Sequence, residues 1–184
     1  MYTKISEYNS VIKNSQIDKN DFDFAISVIK SLQNELESYT EKGSGSFLAA
    51  IYDENRNIIA KCANTVVNDN CSNSHAEINV IKAAEQKLNT YDLSAYNLSI
   101  YITAEPCMMC LGAILWSGIK NVYYGVPSEY VEEITGYDEG FKQNWIKEFS
   151  KRGIRVYGNI EPELGKSVLK KYINDGKKIY KPKR

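Results

Sequence analysis

The segments HAE at residues 75–77 and PCMMC at residues 106–110 decide how this chain is interpreted. They offer one imidazole and two thiols, from the only histidine of the chain and a closely spaced cysteine pair. Such a set gives zinc three protein ligands and leaves a fourth tetrahedral position for water, which is the catalytic arrangement. The candidate ligands are His75, Cys107 and Cys110. Glu77 lies two residues from the first of them, close enough to exchange protons with that water.

A cysteine pair with this spacing also occurs in redox sites and in structural zinc sites. A redox pair would not account for His75 or Glu77. A structural zinc site would need a fourth ligand, and Cys71 lies four residues before His75. Spacing alone therefore leaves open a closed set of Cys71, His75 and the two cysteines of PCMMC. Cys62 is interpreted as a core residue, because free cysteine is among the most buried residue types.

Composition is compatible with one domain of a cytoplasmic protein. The chain has 184 residues, with 23 basic and 23 acidic side chains, so its average charge demands neither nucleic acid nor an anionic membrane. No apolar run approaches the roughly 20 residues that span a bilayer, and the polar start lacks a signal-peptide core. Four cysteines, at least two of them wanted as thiolates, favour a reducing compartment. We expect a loose extension over 1–20 and one domain over 21–184.

The pattern of apolar residues alternates between helix and strand periods. Helices are predicted over 21–37, 75–88, 107–117 and 162–175. Strands are predicted over 47–52, 57–64, 98–103, 121–126 and 152–160. Strands separated by helices of this length predict an α/β fold, a three-layer α/β/α sandwich with a mixed central sheet.

Both halves of the candidate zinc motif begin a predicted helix. The partial positive charge at a helix N-terminus favours thiolate over thiol, which suits Cys107 and Cys110. His75 and Glu77 would diverge on a regular helix, since residues two apart do not share a face. We therefore expect His75 at the helix cap and Glu77 inside the first turn.

These residues resemble the signature of the cytidine and deoxycytidylate deaminase superfamily, H-x-E followed by P-C-x-x-C. Within it the chain is most similar to bacterial-type guanine deaminases. The matching stretches are HAEI at 75–78, EPCMMCLGAI at 105–114 with Trp116, and GYDE at 136–139, where that family typically has Gly-Phe-Asp-Asp. The resemblance covers about residues 45–140.

The resemblance implies roles for further residues. Asn64 matches the family asparagine that hydrogen-bonds the purine, and Ala76 and Trp116 are expected beside the substrate. Glu139, or Asp138 before it, matches the acid that passes a proton to the leaving amino group. Here that acid is a glutamate, and its spacing from Cys110 is one residue longer, so its reach differs. An alternative without function makes Asp138 and Glu139 part of a solvated acidic face.

The implied activity is zinc-dependent hydrolytic deamination of a purine-type base, guanine to xanthine plus ammonia. Guanosine, a pterin or another fused amino-heterocycle remain alternatives. A tRNA adenosine deaminase is a further alternative, because no acidic residue follows Asp175 and the tail is basic. The basic residues of that tail are Lys177, Lys178, Lys181, Lys183 and Arg184. A pyrimidine nucleoside or nucleotide deaminase is disfavoured by the 136–139 segment, and a zinc-stabilised binding module without turnover by Glu77.

The resemblance also implies a homodimer. Guanine deaminases of this type exchange C-terminal segments, so Tyr180 could approach a partner's active site. An ordinary tail tyrosine is the alternative, as the chain contains 14 tyrosines.

Overall fold

The computed structural model describes residues 17–180. The helices are α1 (Lys19–Thr40), α2 (Ala76–Leu88), α3 (Met108–Ser117), α4 (Ser128–Thr135), α5 (Trp145–Ser150) and α6 (Pro162–Asn174). The strands are β1 (Leu48–Tyr52), β2 (Ile58–Ala63), β3 (Ser99–Ala104), β4 (Asn121–Val126) and β5 (Arg155–Tyr157). A 3₁₀ turn, Ser94–Tyr96, precedes β3.

The five strands form one mixed sheet in the order β2-β1-β3-β4-β5. β1 runs antiparallel to both β2 and β3, whereas β3, β4 and β5 run parallel to one another. Parallel neighbours place their carboxyl ends at the same edge of the sheet. Consequently the segments that follow β3 and β4 start side by side, and Glu105 N donates to Val126 O across that edge at 2.8 Å.

Helices cover both faces of the sheet. On one face, α2, α3 and α5 share a core with side chains such as Ile51, Ile102 and Tyr124. On the other, α1 packs over a row of tyrosines in which Tyr101 and Tyr123 stack at 4.7 Å between ring centroids. The predicted three-layer α/β/α sandwich with a mixed sheet is confirmed.

Helix α1 starts earlier than its apolar pattern indicates. Asp18 caps it, since its carboxylate accepts from Asn20 N at 2.8 Å. Lys19 and Asn20, expected in a loose extension, therefore lie in the first turn of α1. The remainder of that extension, residues 1–16, and residues 181–184 lie outside the described residues.

Three elements differ from the sequence prediction. α4 and α5 were not predicted, because each is short and presents only one or two apolar residues per turn. β5 is shorter than the predicted 152–160, since Arg152 N and Gly153 N bond back to Phe149 O and Ser150 O and continue the end of α5. None of the described helices is long and apolar enough to cross a membrane.

Candidate active site

Two helix N-termini bring the predicted metal ligands together. His75 is the N-cap of α2 and Cys107 the N-cap of α3, and both have extended backbone, with ψ of 155° and 168°. An N-cap side chain lies at the end of its helix rather than along its flank. Glu77 then falls in the first turn of α2, as predicted, and Cys110 in the first turn of α3.

The three ligand atoms form a nearly equilateral triangle. His75 Nδ1 lies 3.6 Å from the Sγ atoms of both Cys107 and Cys110, and the two sulfurs lie 3.6 Å apart. A tetrahedral zinc ion with ordinary bond lengths would separate two sulfurs by about 3.8 Å, and sulfur from nitrogen by about 3.6 Å. The donor set and its spacing therefore fit zinc with one position left over.

Cys71 does not join this group. It is exposed, and its thiol donates to Asn73 Oδ1 at 2.8 Å. Among the described residues, the group of His75, Cys107 and Cys110 is the only one whose donor atoms could hold a metal ion together. The alternative of a closed four-ligand site through Cys71 is therefore not supported.

The buried titratable groups of the site differ in the direction in which their pKa values are shifted. A hydrogen bond from Cys110 lowers the pKa of the Cys107 thiol to about 4 against the effect of burial, with further help from His75. The same bond, together with burial, raises the pKa of Cys110. Burial, and then the neighbouring Cys107 thiolate, raises the pKa of Glu77 to about 7. A carboxyl with a pKa near neutrality can both accept and return a proton at physiological pH.

A cavity opens beside these residues. It has an empty volume of about 720 Å³, counting the part open to solvent, and His75, Glu77 and Cys107 line one end. Its walls are largely apolar, with Phe47, Val66, Ile102 and Ala104. Ligand pockets commonly combine such walls with a few polar groups that fix orientation.

Asn64 supplies one of those polar groups. Its side chain lines the cavity, and its Oδ1 accepts from Val66 N at 3.3 Å, which leaves the amide NH₂ to donate to a ligand. The neighbouring residue is Gly45, where a Cβ would lie 2.7 Å from Asn64 Oδ1. A side chain at position 45 would therefore displace Asn64.

The C-terminal segment forms part of the cavity wall. Lys178, Ile179 and Tyr180 line it, and the Tyr172 hydroxyl donates to Lys178 O at 2.7 Å. Lys177 Nζ donates to Thr40 Oγ1 at 2.8 Å and fastens the segment to α1. In this structure, Tyr180 thus lies at the cavity of its own chain.

The two acidic candidates, Asp138 and Glu139, lie in different surroundings. Asp138 accepts from Gly140 N at 2.9 Å in a local turn. Glu139 is 6% exposed and is not among the residues that line the cavity. Its Oε2 accepts from Ser128 Oγ at 2.6 Å and from Lys142 Nζ at 2.9 Å. Burial raises the pKa of Glu139 to about 7 despite the nearby lysine. Glu139 is therefore not part of a solvated acidic face.

Two expected substrate contacts do not reach the cavity of the same chain. Ala76 belongs to the core beneath α2. Trp116 is 86% exposed on α3, because it lies six residues beyond Cys110 and therefore on a different face of the helix. Sequence reasoning also missed Tyr172 of α6, the buried Lys142 and the small residue Gly45.

A family model confirms what the motif suggested. The model of the MafB19-like deaminases matches residues 25–158, which include all three candidate ligands and Glu77. The chain belongs to this family. The predicted membership of the cytidine deaminase-like superfamily is thereby confirmed.

Individual relatives include deaminases of two kinds. Guanine deaminase of Bacillus subtilis is 35% identical over 99 residues, which cover 54% of this chain and 62% of the relative. The chain thus matches less than two thirds of that relative. The tRNA-specific adenosine deaminase of the same organism is 30% identical over 158 residues, 85% of this chain and 92% of the relative.

Solved structures resemble the whole fold. The guanine deaminase of Nitrosomonas europaea is 33% identical and has a TM-score of 0.75, covering 78% of this chain and 81% of that chain. A crystal structure of NE0047 in complex with 2,6-diaminopurine is 32% identical with a TM-score of 0.78, and 85% of each chain is covered. The predicted similarity to guanine deaminases is confirmed in both sequence and structure.

Proposed function

We propose that residues 21–184 act as one zinc-dependent deaminase domain that hydrolyses guanine to xanthine and ammonia. The observation that carries the choice of a free base is the position of Lys178–Tyr180 over the cavity. We infer that this segment leaves room for a free base but would stand in the way of a nucleotide within an RNA strand. The similarity to guanine deaminases, one with a TM-score of 0.75, supports the same substrate class.

His75, Cys107 and Cys110 would hold the zinc ion. When bound, zinc would supply the Lewis acidity that makes water reactive near neutral pH. A reducing compartment such as the cytoplasm would keep Cys107 and Cys110 from forming a disulfide, so that both remain available to zinc.

Side chains of the cavity and its surroundings would orient the substrate and transfer the protons. The amide of Asn64 donates to the purine edge and orients the ring between Phe47 and Ile102. Glu77, in the first turn of α2 two residues after His75, takes a proton from the attacking water and returns it to a ring nitrogen. The new carbon–oxygen bond replaces the carbon–nitrogen bond, whose electron pair leaves with the amino group. Glu139 protonates that group, and it regains a proton when the second hydrogen of the water leaves the new hydroxyl as the carbonyl forms. Asp138, turned toward Gly140, is the less suited donor.

Ammonia release by the zinc-loaded protein tests the proposal. Guanine, guanosine, adenine, cytosine, cytidine, dCMP and a tRNA anticodon loop containing adenosine are compared at equal concentration. We expect turnover of guanine, with kcat/KM at least about tenfold above that of each other compound, a difference of about 1.4 kcal/mol in transition-state binding. Turnover confined to the RNA would refute the free-base substrate.

The tRNA alternative has its own support in the relative that covers 85% of this chain. The basic tail does not strengthen it among the described residues, since Lys177 donates to Thr40. Lys181, Lys183 and Arg184 lie outside the described residues.

A homodimer is part of the proposal. Met108, Met109 and Trp116 are exposed on α3, and Phe141 is exposed on the loop between α4 and α5. These side chains offer a second copy of the chain an apolar surface. Light scattering after gel filtration should give about twice the chain mass of 20.9 kDa. A monomer mass at micromolar concentration would refute the dimer.

A further inference from the structure

Lys142 is a buried lysine that the roles assigned above do not use. Its side chain is 4% exposed, although lysine is almost never fully buried unless it is paired. It lies on the loop between α4 and α5, three residues after Glu139. A buried ammonium carries a large desolvation cost, so the structure must compensate it with several acceptors.

Four acceptors surround the ammonium of Lys142. Glu139 Oε2 lies 2.9 Å away, Pro106 O 3.2 Å and Glu105 Oε1 3.5 Å, and Ser128 Oγ is also bonded to it. An ammonium has three donor hydrogens, so its capacity is filled. Its strongest charged contact is with Glu139.

The two carboxylates depend on Lys142 to different degrees. Glu105 Oε1 accepts from Trp145 Nε1 at 2.9 Å and its Oε2 from Ser128 N at 3.0 Å, so both oxygens have other donors. For Glu139, the side-chain donors are Lys142 and Ser128, and both bind Oε2. Within residues 17–180, no hydrogen bond to Glu139 Oε1 is present. Removing Lys142 therefore changes Glu139 more than Glu105.

This asymmetry favours one oxygen as the proton carrier. An oxygen that accepts two hydrogen bonds is stabilised as the acceptor oxygen, so a protonated carboxyl places its hydrogen on the other oxygen. The proton of Glu139 would thus lie on Oε1. Lys142 also ties Glu139 to Pro106, the residue before Cys107, and Glu139 O accepts from Met108 N at 3.3 Å. The ammonium therefore joins the loop of the acid to the loop of the candidate metal ligand.

We propose that Lys142 is a positioning residue for Glu139, which with Ser128 holds Oε2 so that Oε1 carries the transferred proton. The inference rests on the proposed role of Glu139. In that step the proton passes from Oε1 to the amino nitrogen, the carbon–nitrogen bond breaks, and its electron pair leaves with ammonia. Lys142 keeps its own proton throughout.

Kinetics of Lys142→Met, alone and combined with Glu139→Gln, test the coupling. We expect the single variant to lower kcat on guanine by about 10- to 100-fold, within the range of general acid catalysis, and to change KM by less than about threefold in either direction. In the Glu139→Gln background the same substitution should lower kcat less than about threefold further, because the group it positions is gone. Lys147→Met, at an exposed lysine of α5, is the matched control and should match wild type. An equal loss in both backgrounds would overturn the proposal.

Two further experiments test the same coupling. The first is a variant that leaves the charge of the site unchanged, and the second is a titration of Glu139 that needs no substrate. Ser128→Ala removes one donor to Oε2 without changing charge, and its loss of kcat should also vanish in the Glu139→Gln background. The ¹³C carboxyl resonance of Glu139, assigned by its absence in Glu139→Gln, should titrate at least about one pH unit higher in Lys142→Met, because a cation has been removed. Lys142→Arg should keep the wild-type midpoint. An unchanged titration midpoint of Glu139 in Lys142→Met overturns the inference. If the midpoint shifts but the wild-type protein is inactive on every amino-purine, only the proposed function is overturned.

Discussion

Substituting Gly45 with alanine should damage substrate binding through Asn64 alone. The new Cβ would lie 2.7 Å from Asn64 Oδ1, 2.9 Å from its Cγ and 3.3 Å from its Cβ. Ordinary contact begins at 3.4 Å, so the amide must move by about 0.7 Å. The backbone of Gly45 is not in the left-handed region, and alanine adds no strain of its own there.

The cost follows from the hydrogen bonds that Asn64 makes. A shift of about 0.7 Å breaks the 3.3 Å bond from Val66 N and misaligns the amide against the purine, because hydrogen bonds weaken steeply with distance and angle. One lost bond with a buried group left unsatisfied costs about 1–3 kcal/mol. The expected loss in kcat/KM on guanine is therefore roughly 5- to 150-fold. The melting temperature should fall as well, because the bond from Val66 N belongs to the folded protein.

A double-mutant cycle separates this mechanism from a general disturbance of the loop. Steady-state ammonia release is measured for Gly45→Ala, Asn64→Ala and the double variant. Once Asn64 is alanine, the two closest atoms, Oδ1 and Cγ, are absent and only Cβ remains, at 3.3 Å. Adding Gly45→Ala should therefore change kcat/KM less than about twofold. Additive losses, or a Gly45→Ala enzyme within about twofold of wild type, would refute the reasoning.

Three further predictions concern the acids and the tail. Glu77→Gln should lower kcat by about 10²- to 10⁴-fold while elemental analysis still finds one zinc per chain; loss of the metal would contradict a purely proton-transferring role. Glu139 has a folded-state pKa of about 7 against an ordinary value of 4.5, so the folded state binds more protons and wild-type stability should fall as pH rises from about 5 to 8. Chemical unfolding should show this slope, up to about 3 kcal/mol in total, reduced in Glu139→Gln; equal slopes would contradict it. Tyr172→Phe removes the bond to Lys178 O, so KM for guanine should rise by about two- to tenfold with little change in kcat, and a lower kcat at unchanged KM would argue against a tail that only covers the cavity.

The cluster of candidate metal ligands was predictable because its spacing is local. Cys107 and Cys110 lie in one helical turn, and the proline before them marks the helix start, so their positions follow from a short window of sequence. The same holds for His75 at the cap of α2 and Glu77 in its first turn. The periodicity of apolar residues also predicted the five strands and the four longer helices, and their order indicates the α/β fold.

The surroundings of the acid were not predictable from the same information. Lys142 and Pro106 are 36 residues apart, and no periodic pattern marks either as a partner of the other. A lysine in a polar loop is normally solvent-exposed, so composition predicts the opposite of what burial shows. Trp116 shows the converse failure, since a motif position does not specify which face of α3 a side chain occupies.

The parallel pairing of β3 and β4 explains why these long-range contacts exist at all. The two strands end side by side at Ala104 and Val126, so the segment that leads to Cys107 and the segment that leads to Ser128 begin in contact. Glu105 bonds Ser128 N across that junction, and Lys142 returns from beyond α4 to bind Pro106, Ser128 and Glu139 together. The sheet therefore fixes where the candidate metal ligands and the Ser128 hydroxyl lie, while the Lys142 ammonium holds Glu139 relative to both. A substitution at Lys142 can thus move the proposed proton donor without disturbing a strand, which is why we expect its effect in kcat before it appears in stability.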